Sequence, residues 1–518
     1  MSDSASVEEE VAPATPSPRL ARVVEDEFAL LAAAARGYAS PPEPGIDPRY
    51  SQFTTDRRAH WDRAAAFTRG IRIFRAEYQK RLREVYRQII PPGKRVLEIG
   101  CGCGDLLASL QPSHGVGVDF SGAMVESARR KHPDQTFIQA DAHELTLDEA
   151  FDYIVCADLV DDLWDVQRVF RNAAAHSHPS TRLIVNVYSR VWELPRRLAE
   201  HLGLARPLLP QSWLTVEDVT NLLYLADFEV IRHYTEILYP FRTPGIAAVL
   251  NKVFVKVWPF HLLALTNMII ARPRPVPRGK PVVSVIVAAR NEEGNIADIF
   301  DRMPQMGAGT ELIFVEGHSR DNTYAAIKRE IERRPYANAK LFRQPEQGKG
   351  DAVRTGFANA SGDLLMILDA DLTVAPEDLP RFYEAWQSGK ADYVNGVRLV
   401  YPMEDRAMRF CNMVANRLFG VAFTWLLGQP IKDTLCGTKV LSRRDYEMIA
   451  ANRAYFGEED PFGDFDLIFG AAKYNLKFVD IPIRYGERVY GETNIRRWSH
   501  GWLLLRMLAK AMHKVKFI

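Results

Sequence analysis

Two stretches of this chain, RVLEIGCGCGDLL at residues 95–107 and VVSVIVAARNEEGNI at 282–296, each run a short apolar strand straight into a polar, glycine-bearing tip. A strand that is apolar on both faces belongs inside a sheet covered on both sides, and such sheets are assembled from strand–helix–strand units. Short apolar strands and helical stretches then alternate in both halves. GVGVDF, TFIQADA, FDYIVCADL, RLIVNVYS and DFEVIRHYTEIL follow the first stretch, and TELIFVEG, AKLFRQP and DLLMILDAD follow the second. The pattern predicts two α/β domains, each built on a parallel sheet, with ligands bound beyond the carboxyl ends of the strands.

A length of 518 residues exceeds what one hydrophobic core normally supports, which agrees with two domains. The Pro/Arg-rich segment ARPRPVPRGKP, 271–281, is expected to be the linker between a domain over 20–270 and a domain over 282–518. Residues 1–19 are acidic and Pro/Ser-rich, with neither a basic start nor an apolar run, and read as a disordered tail. The five cysteines are scattered, which argues against a disulfide framework and for a reducing compartment. A net charge of +1 gives no reason to expect a nucleic-acid partner. No run of about 18–20 uncharged apolar residues exists, so no membrane-spanning helix is expected. IAAVLNKVFVKVWPFHLLALTNMIIA comes nearest, and its lysines, proline and histidine suit surface or core helices better.

The first strand delivers Glu98, Gly100, Gly102 and Gly104 at alternate positions. Glycines allow a sharp turn and a close approach of backbone to ligand. The G-x-G-x-G spacing lacks the third glycine of a dinucleotide site, which favours a compact nucleoside over a pyrophosphate. The second strand ends at Asp119, placed to accept from ribose hydroxyls. The third ends at Asp141 and Ala142, placed to accept from and donate to an adenine edge. Asp158 borders the same rim. This ordered set resembles the class I S-adenosylmethionine (SAM) dependent methyltransferases. The resemblance implies a Rossmann-like sheet, SAM as cofactor, and Glu98, Gly100, Gly102, Gly104, Asp119, Asp141 and Ala142 as its binding residues.

In the second half the opening strand ends at Asn291 and Glu292, and the next at Glu316, with Asp321 in the following turn. Gly348-Lys349-Gly350 forms a flexible basic loop suited to diphosphate, with Arg354 on the helix behind it. Asp369 and Asp371 close the next strand. Alternation puts both carboxylates on one side, where with a diphosphate they could hold Mg²⁺ or Mn²⁺.

The set ARNE, VEGHSRDNT, GKGDAVRTGF, LDADL, NGVR, DTLCGTK and RVYGETNI resembles the family 2 inverting glycosyltransferases of GT-A fold, with the dolichyl- or polyprenyl-phosphate sugar synthases as the nearest subgroup. The resemblance implies that Asn291, Glu292, Glu316 and Asp321 hold the nucleoside of a nucleotide sugar. Lys349, Arg354 and Asp369 would serve the donor's phosphates, Arg398 the phosphates or the acceptor, Asp369 and Asp371 the metal, and Arg488 the phosphate of a lipid acceptor. Asp464 stands where the family carries its acidic base, and either a base or an orienting role is open. Glu316 replaces a usual aspartate. Asn494 replaces a frequent lysine, for which Arg496 and Arg497 offer substitute charge.

The closing segment WSHGWLLLRMLAKAMHKVKFI spaces Trp498, Trp502, Leu505, Leu508, Met512 and Val515 as a helical stripe among basic residues. An interfacial helix and a core-packing helix both fit it. RLFGVAFTWLLGQPI, 417–431, is a second candidate for the bilayer surface. These features together lead to a bifunctional enzyme, cytoplasmic and peripheral at the inner face of the membrane. It would glycosylate a polyprenyl phosphate and methylate a related glycan or lipid. A glycosyltransferase with a non-catalytic SAM-binding module, or one using a soluble hydroxyl acceptor, is the alternative.

Overall fold

The computed structural model describes residues 48–66, 72–202, 209–335, 337–401, 410–453, 463–486, 488, 490 and 497–517. The expected tail over 1–19, Asn494 and Arg496 lie outside the described residues.

The first domain opens with α1 (Pro48–Ala66) and α2 (Arg72–Ile89), then β1 (Arg95–Ile99), α3 (Asp105–Ser109), β2 (His114–Asp119), α4 (Gly122–Lys131) and β3 (Thr136–Gln139). It continues through β4 (Phe151–Ala157), α5 (Val166–Ala175), β5 (Ser177–Tyr188), α6 (Glu193–His201), α7 (Val216–Leu225), β6 (Phe228–Glu236), α8 (Ile246–Lys252) and β7 (Thr266–Pro273). Seven strands lie in the order β3-β2-β1-β4-β5-β7-β6. Strands β1 to β5 run parallel, whereas β7 runs antiparallel to β5 and β6. Alternation explains the layering: Leu97 and Ile99 join Phe170 of α5 in one core, and Val96 joins Tyr86 of α2 in the other. Helices start where a side chain takes an orphan amide, at Ser121, at Asp165, and in the Thr215–Asp218 capping box.

The second domain runs β8 (Val282–Ala289), α9 (Ile296–Arg302), β9 (Gly309–Glu316), α10 (Thr323–Arg333), β10 (Ala339–Arg343), α11 (Lys349–Asn359), β11 (Leu364–Asp369), α12 (Leu379–Gln387) and β12 (Tyr393–Val397). It then runs α13 (Phe410–Leu427), β13 (Lys439–Ser442), α14 (Arg443–Ala451), α15 (Asp464–Lys473), β14 (Phe478–Pro482) and α16 (Arg497–Ala511). Its order is β10-β9-β8-β11-β13-β12-β14, with β13 antiparallel to β11 and β12. Leu365 and Ile367 enter one core, and Leu364, Met366 and Leu368 the other.

Both sheets are thus mixed rather than parallel throughout. An apolar strand buried on both faces looks the same whichever way it runs. Strand β7 lies at the end of the apolar stretch read as helical, and its last three residues, Ala271–Pro273, are the first three of the expected linker. Arg272 on it is buried and pairs with Glu229 of β6, beyond the last pair with β5 at Ala271. In the closing segment, Leu508, Met512 and Val515 pack on the second domain's core as the core-packing expectation has it, while Trp502 and Leu505 are exposed. Among the described residues no helix is long and apolar enough to cross a membrane.

The domains meet at Asp392, a buried carboxylate just before β12. Arg182 of β5 reaches it at 2.8 Å, Arg272 of β7 at 3.1 Å and Arg278 at 2.6 Å. Burial alone would raise its pKa; the three guanidinium groups overturn that and hold it far below the ordinary carboxylate range.

Candidate active sites

The turn after β1 places Gly100, Gly102 and Gly104 at φ of 76°, 51° and 74°, a region that favours glycine. A Cβ on Gly104 would come within 2.5 Å of Phe137, and one on Gly100 within 2.8 Å of Leu159, so both are packing positions. A Cβ on Gly102 would meet nothing within 4 Å. Open space therefore begins at Gly102, where a ligand can approach the backbone. Asp119 flanks it, accepting from Gly102 N and Ser121 N at 2.9 Å each.

Glu98 does not stand at this rim. Its carboxylate lies beneath the turn, accepting from Leu107 N at 2.9 Å, and burial pushes its pKa up to about 8. It shapes the cradle from below instead of facing a ligand, its carboxylate taken by an amide of α3. Asp141 accepts from the Tyr50 hydroxyl at 2.7 Å and from His143 N at 2.9 Å, with the His143 ring Nδ1 2.7 Å away. Burial would raise its pKa, yet these hydrogen bonds prevail and hold it at about 2. Ala142 follows at the start of a 3-10 turn. Asp158, at φ 50°, accepts from the Tyr78 hydroxyl at 2.7 Å and from Asn186 Nδ2 at 2.5 Å.

Sequence reasoning missed the roof of this site. Helix α1 contributes Tyr50 to Asp141, and Asp62, which accepts from the Ser121 hydroxyl and from Ala123 N at 3.3 Å. Arg57 and Trp61 anchor the helix on Asp162 at 2.9 and 2.7 Å. No motif marks these residues, and only contacts some sixty to a hundred residues apart in sequence bring them to the strand tips.

In the second domain Arg488 spans the strand tips. Its guanidinium lies 2.5 Å from Asp371 Oδ2 and 3.7 Å from Glu292 Oε1. Burial pushes Glu292 up to about 7, with Arg488 pulling the other way. Glu316 is buried and accepts from Ser319 N at 2.5 Å, and Ala289 pairs with Glu316 in the sheet. Asn291, at φ 58°, accepts from Arg320 N at 2.7 Å. Asp321 accepts from Thr323 N at 3.1 Å and Glu293 N at 3.3 Å. The Tyr490 ring crosses over Gly294, where a Cβ would meet it at 2.6 Å. Arg488 and Tyr490 therefore cover the Asn291–Asp321 side of the site.

Lys349, opening α11, is ion-paired with Asp369. Burial works against each charge, but the pair prevails, raising the lysine and lowering the aspartate. A Cβ on Gly437 would overlap both Asp369 Oδ2 and Lys349 Nζ, so a side chain there would displace this pair. Asp371 accepts from the Thr373 hydroxyl at 2.7 Å, which fixes the carboxylate. Asp369 and Asp371 are hard oxygen donors two residues apart, each balanced here by a side-chain cation, Lys349 and Arg488; with a diphosphate they would have the chemistry to hold a divalent ion.

Arg398 is clamped bidentately on Asp433, at 2.7 and 2.9 Å, a buried carboxylate of matching fork geometry, and from there its charge still helps lower Asp369. Among the described residues no ion pair or hydrogen bond links Arg354 to the Asp369–Asp371 cluster. Asp464 is buried, 3.1 Å from the fully buried Lys439 Nζ, behind the Lys349–Asp369 pair.

Residues 71–233 match the family model described as Methyltransferase domain, and residues 284–449 match Glycosyl transferase family 2. The chain joins a methyltransferase domain to a family 2 glycosyltransferase domain. The glycosyltransferase domain is similar to the dolichol-phosphate mannosyltransferase of Pyrococcus furiosus, 29% identical over 223 residues, 41% of this chain and 59% of that protein. It is also similar to the undecaprenyl-phosphate 4-deoxy-4-formamido-L-arabinose transferase of Edwardsiella ictaluri, 27% identical over 216 residues, 41% of this chain and 62% of that one. The chain spans about three fifths of the length of these curated relatives. Among solved structures, a SAM-dependent methyltransferase from Thermotoga maritima aligns at 18% identity and TM-score 0.31, over 42% of this chain and 96% of that one.

Proposed function

We propose that the glycosyltransferase domain moves a sugar from a nucleoside-diphosphate donor to a polyprenyl phosphate, and that the methyltransferase domain uses SAM to methylate the same glycan or its lipid. The observation that carries the first half is the Arg488 bridge. A single guanidinium spans a nucleoside-side carboxylate, Glu292, and a carboxylate of the diphosphate end, Asp371. The polyprenyl-phosphate acceptors in the relatives' names point the same way.

In this reading Asn291, Glu292, Glu316 and Asp321 hold the nucleoside. Asp369 and Asp371 would hold Mg²⁺ or Mn²⁺, which when bound neutralises charge on the departing diphosphate. Lys349 moves to the phosphates, and Arg488 orients the acceptor. An oxygen of the acceptor phosphate attacks the anomeric carbon from the face opposite the leaving group. The carbon–oxygen bond to the donor's diphosphate breaks, and the nucleoside diphosphate departs with inversion. A phosphate monoester is already anionic near neutral pH and needs no proton removed. That suits Asp464, whose burial against Lys439 favours positioning over proton transfer.

In the methyltransferase domain the Gly100–Gly104 turn, Asp119 and Asp141 would cradle SAM, which supplies an activated methyl group when bound. The chain divides between β7 and β8, and it works at the cytoplasmic face of a membrane.

Purified protein given a panel of nucleotide sugars, Mg²⁺ or Mn²⁺, undecaprenyl phosphate and SAM, with products read by mass spectrometry, tests the reading. Glycosyl-phosphoryl-undecaprenol is the expected product, lost on adding EDTA. Transfer to short soluble alcohols with none to undecaprenyl phosphate would overturn it.

A further inference from the structure

The methyltransferase domain carries an apolar face that neither of its cores uses. Strand β5 ends at Tyr188, β6 ends at Glu236, and both pair with Thr266, the first residue of β7. The connections 189–214 and 237–265 therefore leave from one end of the sheet. Because β5 runs parallel to β4 and β1, that is the end bearing the Gly100–Gly104 turn. Trp192 Nε1 donates to Leu263 O at 3.1 Å and joins the two connections. From them Leu194 and Trp258 project with 75% of their surfaces exposed, and Leu198, Leu262 and Val191 are more than half exposed. Single exposed apolar side chains are ordinary on a protein surface, but a cluster of this size marks an interaction surface.

Charge identifies the partner. Residues 237–265 include Arg242 and Lys252 near the surface and no aspartate or glutamate, Lys256 being buried against Glu236. The other connection exposes Arg190 and Arg197, which pair with the more buried Glu193, and Arg196 pairs with Glu200. Large apolar side chains set among an excess of cations match the headgroup zone of an anionic bilayer. A cleft between the domains is lined by Arg232, Glu236, Lys256, Lys473 and Lys516 and by Leu426 and Leu427 of α13, a helix that also exposes Leu418 and Val421.

We infer that the methyltransferase domain docks by this face on an anionic lipid surface and takes its methyl acceptor from it, as a lipid-borne headgroup presented at the rim of the SAM cradle. The inference rests on reading the first sheet as a working SAM-dependent methyltransferase. It makes the two domains neighbours on one membrane, each drawing an amphiphilic substrate from the same side.

The test uses the full chain and the triple variant Leu194→Ser, Trp258→Ser, Leu262→Ser. Flotation with phosphatidylcholine vesicles, with and without phosphatidylglycerol, reads docking, and label from radiolabelled SAM is followed into organic and aqueous extracts of bacterial membranes. The native chain is expected to float with the anionic vesicles and to label the organic phase. The variant should lose about tenfold or more of its vesicle partitioning while binding SAM with unchanged affinity. Equal flotation of the two proteins overturns the inference, as does label confined to water-soluble molecules. So does a native dimer that the substitutions convert to monomer without any vesicle binding, which would assign the face to a second copy. Glycosyl transfer to a short-chain, water-soluble polyprenyl phosphate is measured alongside. Its absence from both proteins overturns the proposed glycosyltransferase reaction and leaves the docking result standing.

Discussion

Arg488 comes from the far end of the chain to two strand tips whose carboxylates would otherwise repel each other. Truncating it to alanine removes a charge-assisted contact of about 1.5–3 kcal/mol. Transfer to polyprenyl phosphate should fall about tenfold to a hundredfold, while Arg488→Lys keeps part of the rate because the charge remains without the fork. Initial-rate assays on both variants check this, and an unchanged Arg488→Ala rate would remove the residue from the site. Glu98 allows a second prediction. Its folded pKa, about 8, lies above the ordinary 4.5, so between those values the folded chain holds a proton that the unfolded chain has lost. Its contribution to stability therefore falls as pH rises through this window, by up to about 1.4 kcal/mol per pH unit, and levels off above it. Glu98→Gln keeps an acceptor for Leu107 N and should flatten the decline, as read by urea unfolding at several pH values.

At the scale of elements, α1 matters most because it closes the cradle at Gly102, Asp119 and Asp141 without belonging to the sheet. Asp162 takes both of its anchors, Arg57 and Trp61. Asp162→Ala forfeits these hydrogen bonds to a charged group, about 1.5–3 kcal/mol. Hydrogen exchange of α1 amides should then quicken by about tenfold to a hundredfold, with β1, β4 and β5 unaffected. Equal exchange in the variant would mean that the contacts to α4 hold the helix alone. Strand β11 illustrates what the pattern could foretell: its unbroken apolar run and acidic end locate Asp369, with Asp371 two residues on. The same pattern was silent on β7 and β13, whose direction depends on which neighbour they meet.

Across the whole molecule, Asp392 ties the sheets together by taking arginines from β5, β7 and the connecting segment. Asp392→Ala would bury three guanidinium groups without their shared counter-ion. Losing one partner of a buried charge pair typically costs about 3–5 kcal/mol. Calorimetry should show a lower Tm and two separated unfolding transitions in place of coupled ones. A single transition at the native Tm would deny the aspartate this role.

Strand cores, glycine turns and acidic tips were legible in the sequence because they follow from local chemistry: period-two burial, positive φ and hydrogen-bond acceptors at chain ends. Gly102, Asp119, Glu292 and Asp371 belong to that class. Tertiary structure alone decided that Arg398 is spent on Asp433, that Glu98 lies beneath its turn, and that α1 roofs the cradle. Each outcome is a competition among partners distant in sequence, settled by burial and distance, and no local pattern records which partner arrives first.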